Sequence, residues 1–108
     1  MAMVNRFEVY LVNLDTEPTK NAKNTRPCVV ISPDEMNHNL RNVIVAPLSS
    51  SSAKYPTRIG VNFLNGERAV VLDQIRSVDK LRLVKKVGEI ETFAQRAVMD
   101  RLQEFFAE

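Results

Sequence analysis

Arg26, Ser49, Ser50, Lys54, Arg58, Arg68, Asp73, Gln74 and Arg76 share a feature of placement: each stands at or near the end of an apolar run rather than inside one. Guanidinium groups match phosphate oxygens in a bidentate way, and hydroxyls beside them can hydrogen-bond the same group. Cleavage of a phosphodiester needs that kind of help, because negative charge builds on the phosphoryl oxygens in the transition state. Taken singly, most of these charges read first as a solvated face or a weak surface ion pair. Arg26 is different. In "NTRPCVVIS" it lies between a polar loop and a proline that opens an apolar run. Its head can stay near solvent while its backbone is fixed by the strand behind it.

Other chemistries lack their residues. One histidine, His38, and one cysteine, Cys28, cannot make a structural zinc tetrad, and neither an HExxH nor a paired CxxC motif occurs. With 3 glycines there is no Gly-rich phosphate loop, so nucleotide and dinucleotide chemistry is not expected, nor any cofactor or metal. Cys28 lies in an apolar run and reads as a buried small hydrophobe; His38 lies in a polar segment and reads as a solvated surface residue. A formal charge of +2 and a pI near 8.9 permit an anionic partner without requiring one.

The elements that must position these side chains are those of one domain, residues 1–108. Its 44% hydrophobic and 26% charged content is that of a globular protein. A lone cysteine forms no internal disulfide, and no apolar run approaches the ~20 residues of a membrane span. "MAMVNRFEVY" has no signal-peptide pattern, so a cytoplasmic location is expected. In "RFEVYLVNLD", Phe7, Val9 and Leu11 alternate with Glu8, Tyr10 and Val12, which predicts a strand with one face more deeply buried. "TEPTKNAKNT" predicts an exposed loop, and "PCVVIS" a strand that starts at Pro27 with Cys28 to Ile31 covered on both faces.

A helical turn after Pro33, a third strand "NVIVAPL" ended near Pro47, and a hairpin around Asn65-Gly66 follow. A turn over Asp73 to Arg76 and a strand around Leu81 to Val87, with Leu81 and Leu83 on one face, complete the β portion. The period then changes. Phe93, Ala94, Ala97, Val98, Leu102, Phe105 and Phe106 recur every three or four residues, predicting a terminal helix. Thr92 with Gln95 could form its capping box, with Glu89 as an alternative cap. Strands first and one helix last point to a small antiparallel barrel with a helix packed on it.

Six segments in order, "VYLVNLD…PTK", "TRPCVVISPDEMN", "VIVAPLSSS", "YPTRI", "AVVLDQIRSVDK" and "RLVKKVG", resemble the MazF/PemK family of toxin endoribonucleases, from about Glu8 to the terminal helix. The resemblance implies a mainly β, SH3-like, partly open CcdB/PemK-type antiparallel barrel with a C-terminal helix, acting as a homodimer. It implies metal-independent, sequence-selective cleavage of single-stranded RNA by the ribose 2′-hydroxyl, giving a 2′,3′-cyclic phosphate and a 5′-hydroxyl. It also implies an acidic, MazE-like antitoxin that blocks the RNA groove.

Residue by residue, the arginine of the family's "RP" motif falls on Arg26 and the Ser/Thr after its "VAP-x" strand on Ser49, which are the two assigned to catalysis. The aspartate of "LDQ" falls on Asp73, either a base or a cap for the following turn. RNA binding would use Lys20, Asn21, Lys23, Asn24, Ser50, Lys54, Tyr55, Arg58, Gln74 and Arg76, with loops 16–25 and 49–56 as walls. Two positions depart from the pattern. Many members carry glutamate where this chain has Asn21, and some carry arginine where it has Val71. Asn21 can hydrogen-bond but cannot act as a carboxylate base. Two alternatives stay open: an RNA-binding member without turnover, and a non-enzymatic toxin similar to the gyrase poison CcdB. The second would need a tryptophan-containing tail, whereas this chain has no tryptophan and ends "EFFAE".

Overall fold

The computed structural model describes residues 3–15, 24–50, 57–63 and 66–107. In chain order these form β1 (Glu8–Asn13), β2 (Thr25–Val30), α1 (Asp34–Asn39), β3 (Asn42–Ser49), β4 (Arg58–Phe63) and β5 (Gly66–Val71). A 3-10 turn (Leu72–Gln74), β6 (Arg76–Asp79), a second 3-10 turn (Lys80–Arg82), β7 (Leu83–Glu89) and α2 (Thr92–Phe106) follow. All strand pairings are antiparallel. One curled sheet runs β6-β3-β2-β1-β7, and a second runs β3-β5-β4. This is the expected mainly β half-barrel with a C-terminal helix. No helix among the described residues is long and apolar enough to cross a membrane.

Alternation along the strands divides the apolar residues between two cores. Val9, Val29, Ala46, Leu48, Ile59, Val61 and Val70 pack against Ala94 and Val98 of α2. Tyr10, Val12, Cys28, Val30, Val43, Val45, Val78 and Leu83, with Val4, fill the inside of the curled sheet. Both faces of β1 are therefore buried, not one chiefly. Phe7 stands before the strand instead of in it, at φ 74°, where its N–H donates to Val30 O at 2.7 Å and its carbonyl accepts from Ile90 N.

Pro27 and Pro47 lie inside strands, not at their ends. The bond from Leu14 N to Asn24 O (2.9 Å) sets the alternation of the β1–β2 ladder. Residues 24, 26 and 28 aim their peptide groups at β1, so Pro27 faces the β3 side, just outside the pairing with β3 that begins at Cys28↔Pro47. β2 can therefore start two residues earlier, at Thr25. By the same alternation Pro47 turns its missing N–H away from β2, toward the gap on β3's other edge. There β6 ends at Val45↔Arg76 and β5 begins at Leu48↔Val70. β3 continues through that gap to Ser49.

Three further expectations change. The stretch after the Asp73 turn forms β6 before β7, because the second 3-10 turn breaks it. Leu81 sits on that turn and is 68% exposed, while Leu83 is buried. Glu91 is the N-cap of α2 and makes no side-chain cap bond; Gln95 Nε2 instead donates to Ile90 O at 2.9 Å. The helical stripe buries Ala94 and Val98 but leaves its end residues Phe93 and Phe106 at 61% and 73% exposure. The β4–β5 hairpin pairs Phe63 with Gly66, so its connection is 64–65, outside the described residues.

Candidate functional site

β2, β3 and β6 bring their polar ends together at the open end of the curled sheet. Arg26 pairs with Val12 of β1, and the β2–β3 register Cys28↔Pro47, carried two residues further, sets Arg26 level with Ser49. Arg26 alternates in phase with Cys28 and Val30, Ser49 with Val43 and Val45, and Arg76 with Val78, so all three lie on the inner face of the curl. Ile59 and Val61 face the α2 core, which puts Arg58 on the side shared with Ser49. Arg26 and Arg76 are exposed, whereas Ser49 and Arg58 are half-buried.

Cys28 forms the floor. Its Sγ lies 3.7 Å from Arg26 O as a weak donor. Burial pushes the thiol up to about 11, opposed in part by the positive charge of Arg26 and of Arg76. Both guanidinium groups thus act on one buried atom, and that atom stays neutral near pH 7. Among the described residues, neither Arg26 nor Arg76 has a carboxylate partner; the ion pairs there are Arg41–Asp79, Lys86–Glu8 and Arg101–Glu104. An apolar floor with an uncompensated positive rim attracts an anion.

The first 3-10 turn fills the gap beside Pro47. Leu72 N donates to Thr57 O at 2.9 Å, fixing the turn against the base of β4 next to Arg58. Asp73 and Gln74 ride on this turn, both exposed. No bond from Asp73 to the following backbone occurs among the described residues, so the cap role considered for it gains no support. Asn24 and Ser50 lie exposed at the ends of β2 and β3. Lys20, Asn21, Lys23, Lys54 and Tyr55, and with them most of the two loops expected as walls, lie outside the described residues.

Other residues fall elsewhere. Arg68 donates from Nε to Phe63 O at 2.9 Å and serves the β4–β5 hairpin, on the α2 side of its strand. His38 is exposed on α1, with Nε2 2.8 Å from Asn5 Oδ1. Val71, noted above as a departure from the family pattern, is buried and pairs with Arg58. One residue escaped sequence reasoning: Arg82, which reaches the carbonyls of Asn13 and Asp15 at the stem of the β1–β2 connection. Nothing in "DKLRLV" distinguishes that inward-reaching arginine from a surface one. Among the described residues, no three His, Cys, Asp or Glu side chains converge to hold a metal.

Comparison with known proteins places the fold among relatives. A family model described as PemK-like, MazF-like toxin of type II toxin-antitoxin system matches residues 5–106. Over 91 residues the chain is 33% identical to an endoribonuclease MazF from Staphylococcus epidermidis, covering 79% of this chain and 76% of that one. It is similar to a solved MazE–MazF structure from Deinococcus radiodurans with a TM-score of 0.80 at 19% identity, covering 99% and 98% of the two chains. A mycobacterial endoribonuclease solved in complex with its cognate antitoxin gives 0.79 at 20% identity, covering 94% and 92%.

Proposed function

The chain belongs to the family of PemK-like, MazF-like toxins of type II toxin–antitoxin systems, and on that premise we propose that it is an endoribonuclease whose site is the open end of β2, β3 and β6. The observation that carries this reading is the convergence of Arg26 and Arg76, both without an acidic partner among the described residues, on the inner face beside Ser49 and over Cys28.

Arg26 holds the scissile phosphate and neutralises the charge that develops on its oxygens. Ser49 hydrogen-bonds the phosphate or orients the ribose 2′-hydroxyl. That hydroxyl attacks the adjacent phosphorus, the bond to the 5′-oxygen of the next nucleotide breaks, and the products are a 2′,3′-cyclic phosphate and a 5′-hydroxyl. The 2′-hydroxyl gives up a proton and the leaving oxygen gains one. Asp73 is the carboxylate on hand as base, because the position that is glutamate in many relatives is Asn21 here. Where base catalysis is weak, positioning and charge stabilisation still supply much of the rate. No step requires a metal.

Arg58, Gln74, Arg76, Asn24 and Ser50 surround this centre and suit flanking phosphates and bases. Reading a splayed base on its edges is how single-stranded RNA is selected, and loops are suited to it. The working assembly is a homodimer, held in check by an acidic MazE-like antitoxin that competes for the same positive end. Incubation of the purified protein with mixed-sequence RNA in EDTA tests the reading. Fragments with 5′-hydroxyl ends at a recurring short sequence are expected; RNA left intact at high enzyme excess would refute it, and salt-sensitive binding without turnover would mark an RNA-binding member instead.

A further inference from the structure

Arg82 closes the turn between β6 and β7, and its head points back across 67 and 69 residues of sequence. Nη1 donates to Asn13 O at 3.1 Å and to Asp15 O at 2.5 Å. That nitrogen carries two N–H groups, one for each carbonyl. Asn13 is the last residue of β1 and fully buried, and Asp15 is the last described residue before the 16–23 connection. Asp15 N also donates to Asn13 Oδ1 at 2.7 Å, and Leu14 N to Asn24 O at 2.9 Å. The stem is therefore held from β1, from β2 and, through Arg82, from the start of β7 on the other side of β1.

The register carries this to the site. The bonded pairs of the ladder are Leu14–Asn24 and Val12–Arg26, with Asn13 between them and its carbonyl turned to the β7 side, so Arg82 grips the stretch of β1 that bonds the strand bearing Arg26. Nη1 of Arg82 is given over to two backbone carbonyls of the stem, a positioning contact within the chain. A planar guanidinium fixes two acceptors in set directions, whereas a lysine ammonium holds them loosely. We propose that Arg82 is a positioning residue of the nuclease site: a clamp that holds the end of β1 and so sets where Arg26 stands, without touching RNA. The proposal rests on the nuclease reading above.

Arg82→Gln and Arg82→Lys, compared with the unaltered protein, test it through three readouts. These are single-turnover cleavage at saturating RNA, affinity for an all-2′-deoxy oligonucleotide, and amide exchange at Leu14 and Asp15 against Val29 and Val30. Arg82→Gln should cleave at least tenfold more slowly at saturation and Arg82→Lys should recover part of that loss. Exchange should rise at least tenfold at Leu14 and Asp15 only, with oligonucleotide affinity changed less than threefold. Wild-type cleavage at saturation, a uniform rise in exchange, or a loss confined to affinity would each overturn the clamp. Should Arg82→Gln not fold, Arg82→Lys carries the same outcomes. Failure of the unaltered protein to cleave RNA would count against the nuclease reading, while the exchange at Leu14 and Asp15 would still decide whether Arg82 holds the stem.

Discussion

At the β1–β7 edge of the curled sheet, Lys86 Nζ lies 2.6 Å from Glu8 Oε2, and Glu8 Oε1 accepts from Asn5 N at 2.6 Å and from the Tyr10 hydroxyl at 3.2 Å. At the open end of β2, β3 and β6, Arg26 and Arg76 stand without an acid among the described residues. Burial alone would raise the Glu8 pKa, but the bonds from Lys86 and Asn5, the Lys86 charge and the Tyr10 hydroxyl together lower it. Tyr10 is pushed up to about 12 by burial first and then by the Glu8 charge. Lys86 is raised mainly by its bond to Glu8. Charge at the first place is satisfied internally and joins strands; charge at the second is left for something else to satisfy. On the nuclease reading, the same sheet thus separates holding the fold from binding a ligand.

Removing one member from each place should break that comparison cleanly. Arg26→Ala should lower single-turnover cleavage by at least ~30-fold, the rate equivalent of about 2 kcal/mol, on the scale of losing an oxyanion donor. Its unfolding midpoint should stay put, because the side chain is exposed and has no ion-pair partner among the described residues. Glu8→Gln should do the reverse. It should reduce stability by about 1–3 kcal/mol in denaturant titration, since Asn5 N and the Tyr10 hydroxyl lose a charged acceptor, and leave cleavage by the folded protein within twofold.

The acid limb sharpens the contrast. A carboxyl whose folded pKa lies below its ordinary value of 4.5 adds stability that is complete above that value and is lost as pH falls through the lowered folded one. Unfolding followed from pH 6 to pH 3 should show that loss in the unaltered protein and a flatter limb in Glu8→Gln. Smaller effects should follow at the positive end. Arg76→Ala should weaken RNA binding across sequences and reduce the salt slope by about 0.7 if it meets one phosphate. Cys28→Ala should change cleavage least, within twofold, because a buried thiol pushed up to about 11 supplies no thiolate at neutral pH.

The positive end was legible in the sequence because its residues sit at strand ends in a family pattern: Arg26 before Pro27, Ser49 after Pro47, Asp73 and Arg76 around a turn. The boundaries were not. A proline's effect on a ladder depends on which edge its nitrogen faces, and that is set by the neighbouring strand, so Pro27 and Pro47 lie inside strands where local rules end them. β6 was hidden for a similar reason: "RSVD" is too short to show a period of two and acquires its partner, β3, from over thirty residues upstream. Glu8 as a buried ion-pair member and Arg82 as a clamp depend on contacts across 78 and about 68 residues, which no local spacing encodes.

Cleavage of an oligonucleotide that is DNA except for one ribonucleotide, placed where the all-RNA strand is cut, tests the central claim most directly. In EDTA the unaltered protein should cut it at that ribose alone, leaving a 5′-hydroxyl, and the all-DNA strand should compete for binding without being cut. Arg26→Ala should leave the mixed strand essentially intact over the same time. Cutting of the all-DNA strand, or an Arg26→Ala rate equal to that of the unaltered protein, would contradict a 2′-hydroxyl attack steered by Arg26.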